Sequence, residues 1–196
     1  MNICVFCSAN DLGEKYTAPA KALARLLAEA GHTLIWGGSD VGLMKIMADG
    51  VQEGGGKIVG VSLEYYKENA RKNADEMIIA KNLGERRALL LERSDVIVSL
   101  IGGLGTLDEL TEIMELRKQR RHDKLCIIVN TDGFYDGFRM QMERIFAEGF
   151  LSAKEQADAN NMAVSDIIRF VDTPEEAMDI IGQATNDSPS MEVPQD

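Results

Sequence analysis

The sequence predicts an α/β domain of the doubly wound kind, one parallel sheet covered by helices on both faces. Three observations predict it. Short apolar runs alternate with helical stretches along almost the whole chain. The runs are solidly apolar instead of polar at every second residue, as strands buried on both faces must be. Small residues also stand just behind several runs, at the carboxyl ends of strands, where such sheets bind ligands.

Each element can be justified in order. Ile3–Cys7, ICVFC, is a first strand, followed by a loop SANDLGEKY. Ala18–Gly31 carries apolar residues at helical spacing and stops on a glycine. Thr33–Gly38, TLIWGG, is a second strand running into glycines, and Val41–Gly55 a second helix. Lys57–Leu63, KIVGVSL, is a third strand. The polar stretch EYYKENARKN, residues 64–73, reads as a loop or short helix. Glu76–Ala80 is a fourth strand and Leu83–Ser94 a helix. Asp95–Gly103 is a fifth strand, Thr106–Arg121 a helix of about four turns, and Lys124–Asn130 a sixth strand. Phe134–Phe150 is amphipathic, Ile167–Val171 a short last strand, and Thr173–Ile181 a capped helix. One domain over residues 1–182 and a disordered tail over 183–196, rich in Ser, Pro, Asn and Asp, complete the expectation.

At 196 residues the chain suits one sizeable core. A net charge of −11 repels nucleic acid and anionic membranes, so neither is expected as a partner. The chain starts directly on an apolar strand pattern, and no run reaches membrane-spanning length, which makes the cytoplasm the expected location. The three cysteines sit inside apolar runs and read as buried thiols. Cys4 and Cys7 have C-x-x-C spacing, but residues three apart on a strand face opposite sides and cannot share a metal. His32 and His122 lie outside the glycine-marked stretches, so neither a Ser-His-Asp triad nor a metal site is expected.

The stretch VSLIGGLGTLDELTEI, Val98–Ile113, concentrates the chemistry. It is not a nucleotide-triphosphate loop, since the required lysine is missing, nor the dinucleotide pattern of a first strand-to-helix turn. What remains is a run of backbone N–H groups with the Thr106 hydroxyl at a helix start, suited to one phosphate monoester. Glu109 has two readings. Thr106-x-x-Glu109 is a capping-box spacing, and the carboxylate also stands just behind a phosphate-type loop. Arg86 and Arg87 open a helix, where cations oppose the dipole. They are either paired with an anion or turned to solvent or to Glu85. The cluster Arg117 to Lys124 lies at a helix C-terminus, where cations are favourable.

Five ordered motifs carry a family resemblance. IGGLGTLDE resembles P-G-G-x-G-T-x-x-E of the LOG family, the cytokinin riboside 5'-monophosphate phosphoribohydrolases formerly mislabelled lysine decarboxylases. GERRALLLERSDVIVSLIGG is similar to its M-x-x-R-K segment, LIWGGSDVGLM to its Y-G-G-G-x-x-G-L-M loop, and ICVFCSAN to its opening C-V-F-C-G-S-S. The stretch from His122 to Phe150 resembles its C-terminal half. The resemblance implies a Rossmann-like three-layer α/β/α domain, a homodimer, and hydrolysis of the N-glycosidic bond of a nucleoside 5'-monophosphate such as AMP or an N6-substituted AMP. It implies Arg86 and Glu109 as the catalytic pair and Gly102, Gly103, Gly105 and Thr106 as the phosphate loop. Ser8, Gly37, Gly38, Leu83 and Arg87 would line the nucleotide pocket, with no metal and no organic cofactor. The chain departs from the pattern at Ile101 for proline, Ser39 for the third loop glycine, Leu83 for methionine, Arg87 for lysine, and Lys45 for a common glycine. The competing expectation is a binding protein of the molybdenum-cofactor carrier type, which would hold a phosphorylated ligand without cleaving it.

Overall fold

Seven parallel strands form one sheet in the order β4-β3-β2-β1-β5-β6-β7. The computed structural model describes residues 1–150 and 163–186. The strands are β1 Asn2–Phe6, β2 Thr33–Trp36, β3 Ile58–Leu63, β4 Glu76–Ala80, β5 Val96–Ser99, β6 Leu125–Val129 and β7 Arg169–Val171. The helices are α1 Glu14–Glu29, α2 Gly42–Glu53, α3 Leu83–Glu92, α4 Leu104–Lys118, α5 Asp136–Ala147, α6 Val164–Ile167 and α7 Pro174–Asn186. The doubly wound α/β expectation therefore holds. Strands β1, β2, β5 and β6 are buried at nearly every position, which is why their sequences lack alternation.

Helix α1 packs against both α2 and α7, while α6 is in contact with both α4 and α5. The order runs outward through β2, β3 and β4, then returns past β1 to β5 and runs the opposite way. The reversal lies between β1 and β5, and it opens a crevice at their carboxyl ends. The β3-to-β4 crossover is unlike the others. It carries only a six-residue 3-10 turn, Glu64–Asn69, none of whose residues is buried.

Several boundaries moved. Helix α1 starts at Glu14, ahead of Pro19, so the loop after β1 is shorter than expected. The short turn α6 takes Ile167 from the expected last strand. Helix α7 runs through Gln183 to Asn186, four residues into the expected tail, and the remainder of that tail lies outside the described residues. Cys4, Cys7 and Cys126 are buried free thiols. Among the described residues, no helix is long and apolar enough to cross a membrane.

Candidate active site at the strand-order reversal

The loop behind β5 is built to stay short. Gly103 takes the N-cap position of α4 with extended backbone, and no side chain caps it. The first-turn N–H groups of a helix have no partner within it, so those of Leu104, Gly105 and Thr106 point out of the helix end. Gly102 is required by closeness, because a Cβ there would run into the Thr106 side chain. Tyr135 braces the loop from below: fully buried, it donates its hydroxyl to the Leu100 carbonyl at 2.9 Å. Ser8, behind β1, ties three pieces together. Its N–H donates to the Ile101 carbonyl, its carbonyl accepts from Leu43 N–H in the first turn of α2, both at 3.1 Å, and its Oγ accepts from Asn10 N–H.

The helix start corrects one expectation. Thr106 does not open α4; the helix begins two residues earlier, at Leu104, leaving Thr106 in its first turn. Glu109 is then a turn too deep to cap, and its carboxylate instead meets Arg86 from α3. Arg86 is fixed from two sides, since its Nε also donates to the Val61 carbonyl of β3 at 2.9 Å. Both partners of this pair are largely buried, 14% and 13% exposed. Burial pushes the Glu109 carboxyl above its ordinary range, and the Arg86 guanidinium offsets part of that rise. Asn82 caps α3 by accepting from Glu85 N–H at 2.9 Å, and the Glu85 carboxylate accepts from Lys81 N–H. Glu85 therefore serves the helix end and leaves the arginines to the carboxylates of α4.

One cavity of about 510 Å³ joins these groups, within the usual size of a small-molecule site. Of the expected site residues, it brings together Ser8, Gly37, Leu83, Arg86, Gly103, Gly105, Thr106 and Glu109. Gly102, Gly38 and Arg87 are not in its wall. Gly102 shapes the loop from behind, and Gly38 has φ +77, with Ser62 and Met77 3.0 to 3.2 Å from where a Cβ would stand. Arg87 points the other way, pairing with Asp108 at 2.5 Å and with Glu112. Consecutive helical residues diverge by about 100°, which is why neighbours of like type serve different faces.

Further lining residues stand at or behind the end of β3 and escaped the sequence reading, among them Ser62, Tyr65, Tyr66 and Asn69. The Ser62 residue is buried and its hydroxyl has no hydrogen-bond partner among the described residues. The signal that could have found them is the strand-end rule itself, which applies to β3 as much as to β1, β2 and β5. Neither histidine lines the cavity. The Arg117–Lys124 cluster is structural in part: the Arg117 guanidinium donates to the carbonyls of Asp166 and Lys124.

The family model described as "Possible lysine decarboxylase" matches residues 44–181. Among the described residues lining the cavity there is no lysine to hold an aldehyde cofactor as an imine, so the donor set does not fit that description. The chain is 33% identical over 152 residues to the cytokinin riboside 5'-monophosphate phosphoribohydrolase of Mycobacterium tuberculosis, covering 76% of this chain and 81% of that one. It is 32% identical over 166 residues to the enzyme of that name from Oryza sativa, covering 83% and 67%. In fold it is similar to the molybdenum cofactor binding protein of Rippkaea orientalis, with a TM-score of 0.69 at 22% identity over 94% of this chain and 96% of that one. The molybdenum cofactor carrier protein of Chlamydomonas reinhardtii gives 0.69 at 19% identity, over 94% and 98%. With the family model spanning more than half of its length and curated relatives about a third identical over three quarters or more of it, the chain belongs to the LOG family.

Proposed function

We propose that this chain hydrolyses the N-glycosidic bond of a nucleoside 5'-monophosphate, releasing free base and ribose 5-phosphate. The observation that carries the reading is the buried Arg86–Glu109 pair facing the same cavity as the uncapped start of α4. The helix N–H groups and Thr106 hold the 5'-phosphate, with the helix dipole favouring the anion. That anchor fixes C1' of the ribose against the Glu109 carboxylate. The base leaves C1' with the bonding pair and takes up a proton from solvent, balanced by the proton that Glu109 later returns to solvent. Positive charge then builds on the ribose, and the carboxylate stabilises it. Water adds its oxygen to C1', and its proton passes to Glu109, whose raised carboxyl pKa makes it a better acceptor. Arg86 keeps the carboxylate aimed.

The reading includes a cytoplasmic homodimer, supported by the three buried free thiols and by Leu104, 85% exposed beside the phosphate loop. A carrier function is the second reading, drawn from the fold's likeness to molybdenum-cofactor carriers. Against it stands the cost of burying a carboxylate and an arginine that mere binding does not need. The test is chromatographic: purified protein is incubated with AMP, GMP, CMP, UMP and an N6-substituted AMP, and free base is measured. Release from a monophosphate, and none from the matching nucleoside, is the expected result. Tight binding of a monophosphate with no release from any of them would replace hydrolysis with carriage.

A further inference from the structure

The 3-10 turn between β3 and β4 is held with more structure than its own packing explains. None of its six residues, Glu64–Asn69, is buried, so no core depends on its position. Yet its far end is knotted to α2. Arg71, itself 8% exposed, pairs with Asp40 at 2.8 Å and Asp49 at 2.7 Å and donates twice to the Gln52 side-chain oxygen. Backbone bonds close the same end, Asp40 N–H to the Asn69 carbonyl and Arg71 N–H to the Gly38 carbonyl, each 2.9 Å. At the near end the turn grows straight out of β3. It is a pinned strap.

The strap presents two aromatic rings to the cavity. Tyr65 and Tyr66 lean on each other, centroids 4.5 Å apart and planes tilted by 58°, and remain 61% and 52% exposed. Both line the cavity that holds Arg86, Glu109 and the phosphate loop. Rings kept half in water, on a segment fixed at both ends, leave ring surface that the described residues do not cover. In the strand order β3 is separated from β5 by β2 and β1, three spacings or about 14 Å. The phosphate loop follows β5 and the tyrosines follow β3, with the Arg86–Glu109 pair reaching between. That is the arrangement of a nucleotide: phosphate at one end, planar base at the other, glycosidic bond in the middle.

We infer that Tyr65 and Tyr66 form an aromatic platform for the leaving base, selecting purine over pyrimidine monophosphates. The inference rests on the nucleotide reading of the site. Stacking area grows with ring size, so the platform holds a two-ring base better than a one-ring base. The strap, and not the glycine loop, then sets base preference.

The experiment measures calorimetric affinity for AMP, CMP and ribose 5-phosphate, with steady-state kcat and KM, in the wild type and in Tyr65→Ala, Tyr66→Ala, Tyr65→Phe and Tyr66→Phe. At least one alanine variant is expected to weaken AMP binding by about 5- to 100-fold. It should narrow the AMP-to-CMP ratio and leave ribose 5-phosphate binding within about twofold, and its phenylalanine counterpart should restore AMP binding. Unchanged AMP binding in both alanine variants would overturn the platform, and so would an equal loss of AMP and ribose 5-phosphate, which marks a strap that only shapes the site. The two readings fail separately. A wild type that cleaves AMP with tyrosine-independent affinity overturns the platform alone. One that binds AMP through the tyrosines without cleaving it supports the platform and overturns hydrolysis.

Discussion

Two ion pairs join the same two helices one residue apart, and they differ in almost everything else. Arg86 meets Glu109 and Arg87 meets Asp108, each linking α3 to α4. The first pair is 14% and 13% exposed and faces the cavity; the second is 22% and 56% exposed and faces away from it. Exposed pairs contribute about 0 to 1 kcal/mol to stability because water and salt already screen them. A buried pair costs desolvation that only good geometry or function offsets. Identical chemistry placed about 100° around a helix thus serves the site in one case and the seam between helices in the other.

The sharpest way to break that contrast is to remove one arginine at a time. Arg86→Ala leaves Glu109 buried without its cation and is expected to lower kcat by about 100- to 1,000-fold, measured at saturating nucleotide. Arg86→Lys should recover only part of the loss, because an ammonium cannot bridge the Val61 carbonyl and the Glu109 carboxylate as the planar fork does.

The contrast also has a pH signature. Glu109 works as the carboxylate, and burial raises its pKa above the usual 4.5. Activity should therefore rise about tenfold per pH unit below that raised value and level off above it. The sign follows from the active form being the deprotonated one. A kcat–pH profile whose acid limb lies at or below 4.5 would show that a different group titrates.

Gly37→Ala probes the pair indirectly. Its Cβ would collide with the Arg86 guanidinium and stand 2.8 Å from Met44 Sδ, both ends of flexible side chains. Thermal stability should change little, while kcat falls by about tenfold as Arg86 is pushed out of line. A large drop in melting temperature with a normal kcat would place the role of Gly37 in the fold. The smallest effect is expected from Arg87→Ala: stability lower by about 1 kcal/mol or less and kcat within about twofold. Melting curves and steady-state rates read both.

How legible the molecule was in its sequence follows the same divide. Buried strands announce themselves, since ICVFC and LCIIV have no polar residue to spare, and the strand-end glycines point to the crevice directly. Glu109 was visible as a motif residue, yet its spacing to Thr106 also fitted a capping box. Only the helix start at Leu104 separates the two uses. The motif singled out Arg86 for catalysis, yet Arg87 was expected in the same pocket, and local spacing could not show that it faces away. That depends on the phase of α3, a helix with a single fully packed residue, Leu90, to set it. The tyrosine strap was least legible of all. Its fixed position comes from Arg71 reaching Asp40, Asp49 and Gln52, residues 19 to 31 places away, and no local period records such a contact.

The measurement that tests the central claim most directly sets Glu109→Gln beside Asp108→Asn. Both remove one charge from the same turn of α4, and each is assayed for kcat and for ribose 5-phosphate affinity. The account predicts that Glu109→Gln loses about 100- to 10,000-fold in kcat with phosphate binding retained, while Asp108→Asn stays within about twofold of wild type. Comparable rates in the two variants would contradict the assignment of the chemistry to the buried pair.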